Sequence, residues 1–496
     1  MASRAGKKRK MRKKGIFAAV LLCILAIAAT SLYLAGCSGK VKETIASGET
    51  GTQDAGAGGQ DGTEAKTVSG NGKQADTVSG NKTQTQTVSG NKTEEAGGSD
   101  GTQEAAGGTV PDSPDGERVK VKGIYVTGAM AGTSNMDSLI DLVDRTELNA
   151  MVIDVKNDEG HVVYEMDSEL VEDIGAVKKY ISDMPGLIRK CKEHGIYLIA
   201  RIVAFKDPFL AENRVDLALH DKDGKVFRDK SGLAWVNPYS REVWDYLLEI
   251  ARQAAAAGFD EIQFDYIRFS TDSGMAKVDF GPEALGRDKE QAITEFTAYA
   301  AKELHGLGVP VSADVYGIII DSKLDASIVG QDYYEMAKYL DYISPMVYPS
   351  HYGPGNLGLA VPDAQPYETI YRSMNASRKV LAGMGREKEA GQVSGNGVSD
   401  NGISGNGLPE REGAVSENSI SLSPNPEIRA NVRPWLQDFT ATWVKGHIPY
   451  GPDEIRAQIQ AVYDAGYEEW ILWNASNRYT EGGLLPEETA EGPAGE

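Results

Sequence analysis

Asp265 lies where a buried strand runs out. In Gly258-Phe-Asp-Glu-Ile-Gln-Phe-Asp-Tyr-Ile-Arg-Phe269 a helix gives way to a short apolar strand that carries Gln263 and Asp265 on one side and ends at Arg268. A carboxylate at the end of a buried parallel strand is costly unless it is paired or used. The arrangement recurs along the chain. Asp154 and Lys156 stand two apart on one strand and are expected to face the same way. Arg201 lies on the next strand, and Asp314 and Tyr316 share a side of another. Three later strands end in Tyr348, in Gln437 and Asp438, and in Trp473 and Asn474. Two carboxylates facing across a pocket are what glycosidic cleavage requires. One protonates the leaving oxygen, and the other attacks the anomeric carbon or activates water. Asp265 is expected to be the nucleophile or base and Asp314 the acid, with Asp438 and Asp154 in reserve. A cation at Arg201 or Arg268 would keep one carboxylate ionised, whereas the acid needs a drier setting. Which carboxylate has that setting stays open in the sequence. In the competing reading, Asp154 with Lys156 and Arg201 with Asp265 are buried ion pairs that only fill the fold.

The elements that must place these residues follow a regular alternation. Helices are expected over 179–194, 240–257, 288–305 and 453–465. Each stops at a glycine (Gly195, Gly258, Gly306 and Gly466) that suits the left-handed cap conformation. Strands are expected at 123–127, 150–156, 196–205, 259–269, 309–316, 341–348, 433–439 and 469–474. Eight strands with seven intervening helical segments and a weak last helix indicate an α/β fold with a parallel sheet. That number argues for a closed (β/α)8 TIM barrel, which gathers functional groups at the C-terminal ends of its strands. The runner-up is an open doubly wound sheet. It is weakened because no Gly-x-Gly-x-x-Gly loop follows the first strand.

Aromatic residues support a sugar ligand. All six Trp fall between residues 235 and 473. Trp235, Trp435 and Trp473 sit at loops or strand ends, where a flat ring suits the apolar face of a pyranose. Trp244 and Trp470 read as core. Two long loops flank the expected pocket. The first, 206–238, contains His220-Asp-Lys-Asp-Gly224, which reads as a hairpin turn because no twelfth-position Glu completes a calcium loop. The second, 349–356, offers His351 and Tyr352 to a substrate. The six His form no His-x-x-x-His pair, there is no Cys cluster, and no Gly-x-Ser-x-Gly elbow occurs. No metal or cofactor is expected.

The rest of the 496-residue chain is of a different character. Its net charge of −21 argues against nucleic acid as a partner, since phosphate binding needs a basic face. Residues 1–37 run from the basic Lys7–Lys14 through an apolar stretch to Leu34-Ala-Gly-Cys37. That is the order of a secretory signal, and its end resembles a bacterial lipobox. Lipidation at Cys37 is favoured over an uncleaved membrane anchor, and either fate exports the bulk of the chain to the outer side of the membrane. Residues 38–117 are low in large apolar side chains and echo Thr-Val-Ser-Gly-Asn at 67, 77 and 87, which reads as a disordered stalk. A second such tract, 386–427, repeats Ser-Gly-Asn-Gly and reads as a disordered insertion. The folded domain is expected over 118–480, with a C-terminal tail over 481–496. Of three Cys, Cys23 lies in the apolar segment and Cys37 is the expected lipid site, so Cys191 is alone and reads as a buried structural thiol.

Six segments carry a family resemblance. They are Arg201-Ile-Val-Ala-Phe-Lys-Asp-Pro208, Trp235-Val-Asn-Pro-Tyr239, Phe259–Phe269, Pro345-Met-Val-Tyr-Pro-Ser-His-Tyr352, Arg433-Pro-Trp-Leu-Gln-Asp-Phe439 and Trp473-Asn-Ala-Ser-Asn477. Together, and in this order, they resemble a bacterial family of putative glycoside hydrolase domains over roughly 119–480. The resemblance implies a TIM barrel related to the alpha-amylase-like glycosidases and places the nucleophile at Asp265. Many relatives carry Glu where this chain has Asp314, so it leaves the acid open. The expectation is an exported, membrane-tethered monomer that cleaves a polysaccharide. Candidate substrate contacts are Asp154, Lys156, Arg201, Trp235, Gln263, Arg268, Tyr316, Tyr348, His351, Gln437, Asp438, Trp473 and Asn474. The alternatives are a non-catalytic carbohydrate-binding or wall-scaffold lipoprotein and, more weakly, a sugar esterase.

Overall fold

The computed structural model describes residues 118–384 and 423–487. The signal or anchor segment with Cys37, the stalk and most of the 386–427 tract lie outside the described residues. Eight parallel strands close on themselves. They are β1 (Lys122–Val126), β2 (Ala150–Lys156), β3 (Tyr197–Val203), β4 (Glu261–Asp265), β5 (Val311–Tyr316), β6 (Tyr342–Met346), β7 (Trp435–Gln437) and β8 (Trp470–Trp473). Each pairs with the next, β8 pairs with β1, and β7 joins β6 through Trp435 opposite Met346. This is the (β/α)8 barrel that the alternation predicts, and the open sheet is ruled out.

The barrel has the two apolar surfaces that a closed parallel sheet needs. Val121, Tyr125, Val152, Ile199, Tyr348, Trp435 and Ile471 form one buried cluster. They alternate along their strands with the residues of a larger cluster that packs against the helices, such as Ile153, Leu198, Ile262 and Leu472. The helices between strands include Met136–Asp144, Met184–Glu193, Arg241–Ala257, Lys289–His305, Pro366–Leu381 and Pro452–Asp464. Arg241–Ala257 ends on Gly258 at φ 109°, the left-handed cap foreseen for it. Cys191 is fully buried, and burial pushes its thiol up to about 11.

The structure corrects four expectations. Gly306, which ends Lys289–His305, is right-handed at φ −61° instead of left-handed. The helix expected from 179 starts at Met184, because the Asp183 side chain accepts the Gly186 N–H and Pro185 occupies the first turn. Before it the chain is tied to its neighbours, with Val177 bridging Val162. The strand expected over 433–439 is broken. Asn431–Val432 pairs with β6, and β7 begins only at Trp435, because Pro434 has no N–H to continue a ladder. After β8 the described residues hold one 3-10 turn, Glu481–Gly483, in place of a last helix.

Candidate active site

The C-terminal ends of the strands surround a cavity of about 780 Å³. Asp265 is the last residue of β4, opposite Val203 of β3. Asp314 is on the adjacent β5, and both line the cavity. Two nitrogens of Arg201 donate to Asp265 Oδ2, Nε at 3.0 Å and Nη2 at 2.5 Å. The same guanidinium donates from Nη1 to Asp154 Oδ1 at 2.6 Å and from Nη2 to Asp158 Oδ1 at 3.0 Å. Asp154 is steadied in turn by the Tyr125 hydroxyl at 2.8 Å. One cation on β3 therefore fixes three carboxylates, and Asp265 stands as the anion of an ion pair with charge-assisted hydrogen bonds.

Asp314 is in a different setting. It is only 2% exposed. Burial first, and the nearby Asp265 charge second, push its carboxyl well above the usual carboxylate range. Its Oδ1 accepts a hydrogen bond from Trp435 Nε1 at 2.6 Å. Burial and the Asp265 charge thus favour the proton on Asp314, while Arg201 pairs with Asp265, so the two carboxylates on neighbouring strands differ in setting. The backbone just past Asp265 is unusual as well. Tyr266 has φ 49°, and its N–H donates to Asp265 Oδ1 at 2.6 Å. Left-handed backbone at a bulky residue is strained and is found where a site holds it in place.

Aromatic rings wall the cavity. Tyr125 stacks on Trp473 with centroids 6.5 Å apart, and Tyr348 lies 5.7 Å from Trp473. Arg268 lies over the rings of Tyr266 and Tyr316, at 4.8 Å and 4.6 Å from their centroids. His351 also faces the cavity, and burial pushes its ring down to about 4, so it is neutral near pH 7.

Of the residues singled out in the sequence, Asp265, Asp314, Arg201, Arg268, Tyr316, Tyr348, His351, Tyr352, Trp435 and Trp473 line this cavity. Asp154 is behind it, held by Arg201 and Tyr125. The others are engaged elsewhere. The β2–β3 ladder is irregular between Asp154 and Lys156, so the two do not share a partner. Lys156 is fully buried and pairs with Asp207 at 2.8 Å. Gln263 reaches Ser344 inside the barrel at 3.2 Å. Trp235 is 2% exposed and donates to Asp229 at 3.1 Å. Gln437 bonds Asp363 and the Ser350 N–H. Asp438 accepts two hydrogen bonds from Thr480, and Asn474 donates to the Asp438 carbonyl. Asp221 accepts the N–H groups of Asp223 and Lys225, which makes its segment the foreseen turn.

The cavity also holds residues that the sequence reading passed over, chiefly Tyr125, Asp158 and Tyr266. Asp158 had a signal, since it sits in Asn157-Asp-Glu-Gly160 directly after β2. Lys206 and Arg201 hold its carboxyl below the usual range against the burial that would raise it. Tyr125 reads as an ordinary strand aromatic, and only barrel closure brings it against Asp154 and Trp473.

No curated protein matches the chain. Among solved structures it is similar to a hypothetical protein from Ruminiclostridium thermocellum ATCC 27405, at 40% identity over 39% of this chain and 97% of that one, TM-score 0.36. It is also similar to the PgaB (BpsB) glycoside hydrolase domain from Bordetella bronchiseptica, at 13% identity over 72% of this chain and 94% of that one, TM-score 0.47. A third is the spore cortex-lytic enzyme SleL of Bacillus megaterium QM B1551, at 12% identity over 73% and 72%, TM-score 0.40. The family described as "Putative glycosyl hydrolase domain" matches residues 123–390 and 413–479, more than half of the chain and all eight strands but the first residue of β1. The chain belongs to that family of glycoside hydrolases.

Proposed function

We propose that this chain is an exported, membrane-tethered glycoside hydrolase that cuts a cell-surface or environmental polysaccharide with a pair of carboxylates. The observation that carries this reading is the opposite setting of Asp265 and Asp314 in one cavity. Asp265 is paired with Arg201, while burial and its neighbour's charge favour the proton on Asp314. Asp314 gives that proton to the leaving oxygen as the glycosidic bond breaks. Asp265 attacks the anomeric carbon, or takes a proton from the water that does. Tyr125, Trp473 and Tyr348 offer ring faces and edges to the sugar beside them. Export and tethering rest on the order of residues 1–37. The enzyme acts as a monomer in this reading.

The test is release of reducing ends from a panel of wall and environmental glycans by the purified chain. Asp265→Asn should abolish release, and Asp314→Asn should cut it by about 10²–10⁴-fold, with the far-UV spectrum of each variant unchanged. Release by Asp265→Asn at the wild-type rate, or no release from any glycan by the wild type, would overturn the assignment.

A further inference from the structure

The aromatic wall does not stop at the cavity. Trp473 lines it and meets Phe439 edge to face, with centroids 5.3 Å apart and planes at 80°. Phe439 also meets Tyr348, at 6.3 Å and 67°. Beyond it, Phe439 stacks on Trp443, at 5.9 Å and 17°. Neither Phe439 nor Trp443 belongs to the cavity lining, and both lie in the segment that follows β7. Four rings therefore run without a break from the carboxylates to the rim. Trp443, the last of them, is 38% exposed. Of the six Trp, it alone is exposed among the described residues, since Trp235, Trp244, Trp435 and Trp470 are buried and Trp473 is partly buried. Its neighbour on the inner side, Phe439, is continuous with the wall of the site.

We propose that the Trp443–Phe439 pair is a second sugar-binding subsite, which holds residues of the substrate chain beyond those at the carboxylates. The proposal rests on the glycoside hydrolase reading and adds the substrate class, an extended polymer gripped along its length. An aromatic pair of this kind takes the apolar face of a pyranose and places no charge against it. Its ligand is therefore an uncharged stretch of glycan that is continuous with the sugar at Asp265. The occupant is fixed by continuity, since a chain that leaves the cavity past Trp473 meets Phe439 and then Trp443.

The experiment compares full-length Asp265→Asn protein with the same protein carrying Trp443→Ala. Calorimetry measures binding of disaccharides and hexasaccharides of β-1,4-linked glucose and N-acetylglucosamine. On at least one of these sugars the parent should bind the hexasaccharide more tightly than the disaccharide. Trp443→Ala should erase that gain, weakening the hexasaccharide about tenfold while the disaccharide affinity and the melting temperature stay put. Trp443→Phe should restore part of the gain. Equal hexasaccharide affinity with and without Trp443, or no gain with chain length in the parent, would overturn the subsite. Because binding is read in an inactive background, this result separates from the cleavage test. A Trp443-dependent gain in a protein that cleaves nothing would sink the catalytic reading and leave the subsite standing.

Discussion

At the scale of single residues, the site depends on how Asp314 keeps its proton. Burial raises its pKa most, the Asp265 charge raises it further, and the hydrogen bond from Trp435 Nε1 lowers it, with the charges of Arg201 and Arg433 lowering it less. The Trp435 bond is one that mutation can remove without touching a carboxylate. Indole N–H stabilises the deprotonated oxygen, so Trp435→Phe should raise the Asp314 pKa further. In the proposed mechanism Asp314 acts as the protonated acid, so activity falls as pH rises through its pKa. The alkaline limb of the kcat/KM profile should therefore move to higher pH in Trp435→Phe, and the acid limb should stay where it is. A profile measured on whichever glycan the wild type cleaves decides this. A limb that stays fixed, or moves to lower pH, would mean that Asp314 is not the group being read. Sequence singled out both carboxylates because each lies at or near the C-terminal end of a buried strand. It named Asp265 as nucleophile or base and Asp314 as acid but left open which carboxylate has the drier setting, because Arg201, Asp265 and Trp435 come from β3, β4 and β7 and only the fold brings them together. Asp158 was missed for a related reason: it sits one turn past the strand, and it becomes a site residue only through Arg201.

At the scale of elements, the opposite end of the barrel shows what the strands demand. Arg433 and Glu261 are both fully buried and form an ion pair. Arg433 Nη1 lies 3.8 Å from Glu469 Oε2, and the guanidinium sits 4.0 Å from the Tyr342 ring centroid. These residues precede or open β7, β4, β8 and β6 at their N-terminal ends, so they join four strands far from the sugar-facing rim. Conserving such a network brings no necessary gain in stability, but breaking it leaves a charge buried without a counterion. Arg433→Met would leave Glu261 with the Ser312 and Tyr197 hydroxyls as its remaining contacts. That change should cost about 3–5 kcal/mol in urea unfolding. Adding Glu261→Gln should recover part of the loss, and a double variant no more stable than the single one would refute the ion-pair account. The sequence reading placed Arg433 in a strand and gave it no role. Its hydrophobic pattern was legible, and so were all eight strands and most helix ends, because glycine caps and apolar runs are local signals. The break at Pro434 and the late start at Met184 were also written locally, in a proline and an Asp183 cap, and the apolar pattern masked them. The partners of Lys156 and Gln437 were not legible, since a bulge and a loop from another part of the chain supply them.

At the scale of the molecule, the barrel is completed across a long interruption. Helix Pro366–Leu381 precedes β7, and between them lies the tract whose composition reads as an insertion. The described chain on either side comes back to nearly the same place. The Asn425 N–H donates to the Leu381 carbonyl at 2.9 Å, and Arg429 and Ala430 both donate to the Ala337 carbonyl. Arg429 is bound further to Asp341, at 2.9 Å and 2.6 Å, at the start of β6. Among the described residues, the contacts that fix the re-entry of the chain include those of Asn425, Arg429 and Ala430, after the repeats have ended. A loop whose ends are already held together gains little from its length, since closure entropy changes by only about 0.6 kcal/mol per doubling. Replacing residues 386–420 with a short Gly-Ser link should then leave the melting temperature within a few degrees of the parent and the reducing-end activity intact. Shortening should, if anything, raise stability slightly, because the unfolded chain has less freedom to lose. The contrasting cut, which removes 421–430 and with it Asn425, Arg429 and Ala430, should unfold the domain. If excision of 386–420 alone collapses the fold or abolishes cleavage, the tract makes contacts that the barrel needs, and the division into a barrel plus an inserted spacer fails.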